Sequence, residues 1–229
     1  ELTECSGYPK STVFGLLTTM RAYDVITQTP EGKYALGLRL FEYGRQVERK
    51  WDISRVARPY MEHLSQRAGA SVMLSICEGG SVITLDQVEA RDKLRIVSDA
   101  GARLPIYCTS QGKVFLAHMP RAQAEKLLRR QSMTQFTPHT ITDVSARLQE
   151  VDACRTNGFA IENGEYKIGL RSISAPVYTV DRTVRYTVGV IGMFRSTHSD
   201  EFRSAVEQVC ATASMISTAL GYRKTEELL

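Results

Sequence analysis

The chain has 229 residues, a formal net charge of +4, 43% hydrophobic and 24% charged residues; this is the balance of a soluble protein able to bury a core in one large or two modest domains. No apolar run approaches a membrane span, and the mild basicity permits a polyanionic partner without demanding one. Five scattered cysteines without a C-x-x-C pair, and four histidines that form no ligand-spaced cluster with them, argue against a disulfide framework or a zinc site and for a reducing, cytoplasmic setting.

From Leu2 to Ser6 the chain reads as the end of a short helix, and Gly7 supplies a sharp turn. Pro9 is pre-set for a first helical position because it has no N–H to lose. Val13, Leu16, Leu17 and Met20 recur at i, i+3, i+4, i+7 and predict one buried stripe. The opposite face carries Lys10, Ser11, Thr12, Gly15, Thr18 and Thr19, the low-profile, hydrogen-bonding surface that a helix entering a major groove needs. Val25–Thr27 and Lys33–Leu36 then flank the turn-rich Gln28–Gly32, a hairpin signal. Helix, turn, helix, hairpin is the order of a winged helix-turn-helix, although another small α/β module could share it.

Leu38, Leu40, Phe41 and Gly44 begin a charge-dense helical stretch to about Lys50, readable as a solvated surface helix or as a linker. Trp51–Ile53 breaks the pattern, and Ile53, Val56, Tyr60 and Leu64 start a new stripe that Asp52 is placed to cap. Val72–Cys77 and Val82–Leu85 form a hairpin around Glu78–Gly80, and Leu94–Val97 is a third strand. Three helices centre on Val114–Leu116, Ala124–Leu128 and Val144–Val151. Further strands lie at Phe159–Ile161, Ser172–Ser174 and Thr187–Phe194, and a long helix runs from about Asp200 to Tyr222. Directly joined hairpins with helices grouped between and after them indicate an α+β domain with a mainly antiparallel sheet.

Two distant segments carry a family resemblance. Gly7-Tyr8-Pro9-Lys10-Ser11-Thr12-Val13 with Gly32-Lys33-Tyr34-Ala35-Leu36-Gly37 resembles the DNA-binding module of the IclR family of bacterial transcription regulators. Gly158-Phe159-Ala160-Ile161-Glu162, Glu165 and Gly169 to Tyr178 resemble the family's C-terminal motif, and Leu104-Pro105 with Gly112-Lys113 its strand-to-helix element beside the effector pocket. The resemblance covers essentially the whole chain. It implies an N-terminal winged helix-turn-helix over residues 1–37, whose first helix is expected to precede Glu1. A linker helix over 38–51 and a GAF-like effector-binding domain over 52–229 follow. It further implies a homodimer or dimer of dimers that binds operator DNA and responds to a small-molecule effector, with no catalytic residue, metal or cofactor.

Carried over position by position, Lys10, Ser11 and Thr12 are candidates for phosphate and base-edge contact, Thr18 is a further one a turn on, and Lys33 is a phosphate contact at the wing. Gly15 departs from the family, which often has arginine there. Around the effector the resemblance places Ile96, Leu104, Ser110, Gln111, Glu162, Leu170 and Ser172. Backbone N–H groups at Ser110 and Gln111 can hold an anionic oxygen, Glu162 and Ser172 can read a hydroxyl or acid group, and the aliphatics can form walls or ordinary core. Glu162 replaces a shorter Asp or Ser, and Gly192 and Phe194 stand where relatives carry serines; these departures imply fewer hydroxyls and an aromatic wall at Phe194. The effector is therefore expected to be a larger organic, sugar or aromatic acid rather than a two- or three-carbon one. The alternatives are a thiol enzyme using Cys108, which has no basic partner near it in sequence, and a sensor acting through protein partners.

Overall fold

A turn at Gly7 separates α1 (Leu2–Ser6) from α2 (Lys10–Ala22), which begins directly after Pro9. The computed structural model describes residues 2–50, 53–90 and 101–223 and divides the chain into two compact units, Glu1–Asp52 and Ile53–Leu229. In the first unit, β1 (Ile26–Gln28) pairs antiparallel with β2 (Tyr34–Leu36) in the register Thr27 to Ala35, and α3 (Leu38–Lys50) follows. The predicted hairpin therefore forms, with Val25 and Lys33 just outside its strands. The predicted buried stripe of α2 does not. Val13 and Leu17 are half-buried, whereas Leu16 and Met20 are 52% and 43% exposed. Two three-residue strands and a one-turn helix offer too little apolar surface to cover that side.

The second unit begins with α4 (Ile53–Ala68), β3 (Ser71–Glu78), β4 (Ser81–Val88) and β5 (Arg103–Pro105). Then come α5 (Ser110–Ala117), α6 (Arg121–Arg130), α7 (Val144–Asn157), β6 (Ala160–Asn163), β7 (Arg171–Tyr178), β8 (Val184–Gly192) and α8 (Asp200–Ala219). The strands form one antiparallel sheet in the order β5-β4-β3-β8-β7-β6, so the pairing of β3 with β8 joins the early hairpin to the late strands. The fold is α+β. The predicted strand Leu94–Val97, together with Ile96 and Asp52, lies outside the described residues. Among the described residues no helix is long and apolar enough to cross a membrane.

Side-chain alternation along the strands sorts the sheet into two different faces. Val72, Leu74, Ile173, Ala175, Val177, Val188 and Val190 pack with Met61 and Leu64 of α4 and Phe202, Val209 and Ile216 of α8. The alternate positions, Met73, Ser172 and Ser174, meet α5 through its Ser110 and Gln111 side chains. A second core behind that helix joins Ile106, Cys108, Val114 and Leu116 to Leu128 of α6 and Leu148 and Val151 of α7. One face is apolar packing throughout; the other carries hydroxyls at its centre.

Candidate functional site

On the first unit, α2 presents its free N-terminus. Pro9 precedes it without any side-chain capping bond, its first turn holds no acidic residue, and Lys10, Ser11 and Thr12 are all exposed. The hydroxyls of Ser11 and Thr12 therefore leave the first-turn N–H groups uncapped, which favours an oxygen anion there. Thr18 is also exposed, but its hydroxyl donates to the Phe14 carbonyl at 2.8 Å, which leaves an acceptor and a methyl group on the surface. Lys33 is exposed at the hairpin end, where its carbonyl accepts from Thr29 N–H at 2.8 Å. Sequence reasoning passed over Phe14, which is 67% exposed, and Arg21, whose guanidinium donates to Gln28 on β1 at 2.9 Å.

In the second unit the chain enters α5 through a tight approach. A Cβ on Gly112 would stand 1.9 Å from the Ile106 carbonyl oxygen, so only glycine lets the helix start so close to the preceding loop. The Thr109 side chain caps the helix by accepting from Gly112 N–H. Ser110 is thereby set against the sheet, its hydroxyl 2.8 Å from that of Ser172 and 2.7 Å from that of Ser174. Ser172 donates in turn to Glu162 Oε2 at 3.2 Å, and the other Glu162 oxygen accepts from the backbone N–H groups of Glu165 and Tyr166. Gly189 on the adjoining strand leaves the space that the Ser174 hydroxyl occupies, since a Cβ there would come within 2.2 Å of it. Burial holds the Glu162 carboxyl above its ordinary value, against the lowering effect of its two N–H donors.

Beside this array lies a buried ion network. Glu165 holds both Lys113 of α5 and Arg147 of α7, and Lys113 also reaches Glu150 and the Ile161 carbonyl, each at 2.8 Å. The Lys113 and Arg147 side chains are 4% and 0% exposed, so both cations are committed to protein carboxylates. A cavity of about 160 Å³ opens between α5, α7 and β6, lined by Lys113, Glu150, Cys154 and Phe159 among others; no predicted effector residue lines it.

The structure thus brings Ser110, Gln111, Glu162 and Ser172 together, with Gln111 turned toward the Met73 sulfur at 3.7 Å. Leu104 sits on the edge strand β5 opposite Val82 and packs into the second core, and Leu170 closes the 164–170 loop by accepting from Gly164 N–H. Phe194 does not join them. It follows β8 on the other side of the sheet and meets Phe202 edge to face at 5.2 Å, so the expected aromatic wall at Phe194 is corrected. On the hydroxyl side, Phe136 stacks 6.3 Å from Tyr107 and meets Tyr166 edge-on at 5.0 Å, while Phe115 of α5 is buried in the second core. Cys108 is fully buried, and burial, reinforced by the charge of Glu165, pushes its thiol up to about 12. That is the reverse of what an activated nucleophile requires.

A two-layer hydroxyl cluster beside a buried carboxyl, in a unit that follows a helix-turn-helix and hairpin, fits a sensor of small molecules joined to a reader of DNA. Residues 45–218 match the family described as bacterial transcriptional regulator IclR C-terminal. The chain belongs to the IclR family. It is 30% identical over 223 residues to the HTH-type transcriptional regulator XynR of Escherichia coli, covering 97% of this chain and 88% of XynR. It is 29% identical over 216 residues to the HTH-type transcriptional repressor AllR of the same species, covering 94% of this chain and 80% of AllR. The fold is shared with an IclR homolog from Microbacterium hydrocarbonoxydans crystallised with 4-hydroxybenzoate, at 22% identity and a TM-score of 0.77, over 96% of this chain and 89% of that one. As an IclR-type protein the chain is a DNA-binding transcriptional regulator with an effector-binding domain, not an enzyme.

Proposed function

We propose that the chain binds its operator through the N-terminal turn of α2 and the β1–β2 hairpin, and that an organic acid at the Ser110–Ser172–Glu162 array changes that binding. The observation that carries this reading is the hydroxyl array itself: Ser110 of α5 bonds both Ser172 and Ser174 of β7, and Ser172 carries the chain on to one buried carboxyl. Buried polar groups so arranged offer fixed directions to an incoming hydroxyl or carboxyl oxygen, which exchanges hydroxyl–hydroxyl bonds for ligand bonds. The 4-hydroxybenzoate bound by the Microbacterium protein supports an aromatic hydroxy acid as the first candidate, and Tyr107, Phe136 and Tyr166 supply rings on the same side of the sheet.

On the DNA side, Lys10 and the uncapped N–H groups of Ser11 and Thr12 take phosphate oxygens, Lys33 a second phosphate at the wing, and Thr18 faces the base edges. The working form is a homodimer or a dimer of dimers, because two recognition helices are needed to read a two-fold operator about one DNA turn apart. The effector acts by binding one arrangement of the protein better than another, since equal affinity shifts nothing.

Calorimetric titration with 4-hydroxybenzoate, sugar acids, glyoxylate and pyruvate, paired with a mobility-shift assay on DNA upstream of the regulator's own gene, tests the reading. Binding of a larger acid, lost in Ser172→Ala and coupled to a changed DNA affinity, is expected. Tight binding of glyoxylate or pyruvate alone overturns the effector class, and effector binding without any DNA response overturns the coupling.

A further inference from the structure

Ser11, Phe14, Gly15 and Thr18 stand at i, i+3, i+4 and i+7 and form one stripe of α2, opposite the half-buried Val13 and Leu17. Every residue of that stripe is exposed, and Phe14 is 67% so. The stripe offers less hydrogen bonding than its sequence implies. The Thr18 hydroxyl spends its proton on the Phe14 carbonyl at 2.8 Å, and Thr19 does the same to Gly15 at 3.0 Å. Gly15 has no side chain, and a Cβ there would meet nothing within 4 Å, so an open notch borders the Phe14 ring. What remains at the centre of the stripe is a phenyl ring, a threonine methyl and the notch between them.

We infer that Phe14, with the Thr18 methyl, reads the 5-methyl group of a thymine in the major groove and is a specificity-determining residue of this regulator. The inference rests on α2 being the helix that enters the groove. The occupant is DNA because the surroundings of the ring are cationic: Lys10 and Arg21 lie at the two ends of α2, and no acidic residue occurs from Lys10 to Ala22. A phosphate-lined groove matches that charge, and thymine is the base that presents an apolar group on its floor. Arg21 is braced against Gln28 of the hairpin, which steadies the helix beside the ring. Cytosine lacks the methyl group, so the contact discriminates between pyrimidines without any hydrogen bond.

The test starts by selecting bound sequences from a random duplex library with the wild-type chain. Each thymine of the selected site is then replaced by deoxyuridine, which deletes only the 5-methyl group. At one thymine per half-site the wild type is expected to lose about four-fold in affinity, the value of one buried methyl group. Phe14→Ala is expected to bind the thymine site more weakly and to be indifferent to that replacement, while Phe14→Leu keeps part of the preference. Equal wild-type affinity for every uracil-substituted site, or unchanged discrimination in Phe14→Ala, overturns the inference while leaving DNA reading by α2 intact. A library that yields no enriched sequence overturns both. Should Phe14→Ala fail to fold, the thymine–uracil comparison on the wild type decides alone.

Discussion

The Ser110 hydroxyl stands 2.8 Å from that of Ser172, 62 positions away in the chain, and Ser172 passes the contact on to Glu162. This link joins the start of a helix to the middle of a sheet through polar atoms in a site where all three residues are nearly without solvent exposure. It places a carboxyl that burial pushes above its ordinary value at the end of a hydroxyl chain, and its titration has measurable consequences.

Glu162 binds its proton more tightly in the folded chain than at its ordinary value of 4.5, chiefly because burial disfavours the charged form. Its contribution to stability is therefore fullest below that ordinary value and is lost as pH rises through the window up to the raised folded value. Glu162→Gln should flatten the pH dependence of the melting temperature in that window, measured by circular dichroism between pH 4 and 8. An anionic effector beside the carboxyl favours its protonated form, so wild-type affinity should fall across the same window and that of Glu162→Gln should not. A wild-type melting curve that rises through the window to a plateau would show the carboxyl shifted the other way.

The ion network gives a stability prediction. Glu165→Ala removes the carboxylate shared by Lys113 and Arg147, two cations with almost no access to water. Losing one partner of a buried pair costs about 3–5 kcal/mol, because the desolvated charge is left unmatched. Glu150, 41% exposed, still serves both cations, so the lower part of that range is expected in urea denaturation. A loss below about 1 kcal/mol would mean that water reaches the cations readily.

Much of this architecture is legible in the sequence, for reasons visible in particular residues. Alternation marks β3, β7 and β8 because one face of each is apolar, and the glycine and proline signals mark the hairpin near Gly32. Ser174 was missed although period-two spacing from Ser172 puts it on the same face. Phe194 was misplaced by the resemblance, although period-two spacing from Val188 and Val190 already puts it on the apolar face, where it meets Phe202. The network of Lys113, Arg147, Glu150 and Glu165 comes from α5, α7 and the loop after β6; helix spacing pairs only Arg147 with Glu150, and no local pattern brings Lys113 or Glu165 to them. The stripe of α2 shows the opposite failure: the periodicity is genuine, but periodicity reports which side of a helix is apolar, not whether anything covers it.

Lys10 is exposed at the uncapped start of α2 with no acidic neighbour in that turn. Lys10→Ala should weaken binding to all DNA sequences alike and lower the slope of log affinity against log salt by about 0.9 for each protomer bound, the value for one phosphate contact. Fluorescence anisotropy on a selected and a scrambled duplex at several salt concentrations measures both. A loss confined to the selected duplex would instead make Lys10 a base reader.

Two glycines should respond oppositely to the same substitution. At Gly112 a methyl group would press on the Ile106 carbonyl at 1.9 Å, so Gly112→Ala must push the start of α5 off the loop and displace the Ser110 hydroxyl. A cost of about 2–3 kcal/mol is expected from overpacking against backbone, with effector binding impaired as well. At Gly15 a methyl group meets nothing within 4 Å, in the middle of a helix where alanine outranks glycine by about 0.5–1 kcal/mol. Gly15→Ala should therefore stabilise the first unit, read as increased hydrogen-exchange protection of the α2 amides. Its effect on DNA binding then separates two reasons for that glycine. If the notch beside Phe14 admits the DNA, the more stable helix binds the selected site less tightly; if tighter binding accompanies the added stability, the notch has no role in recognition.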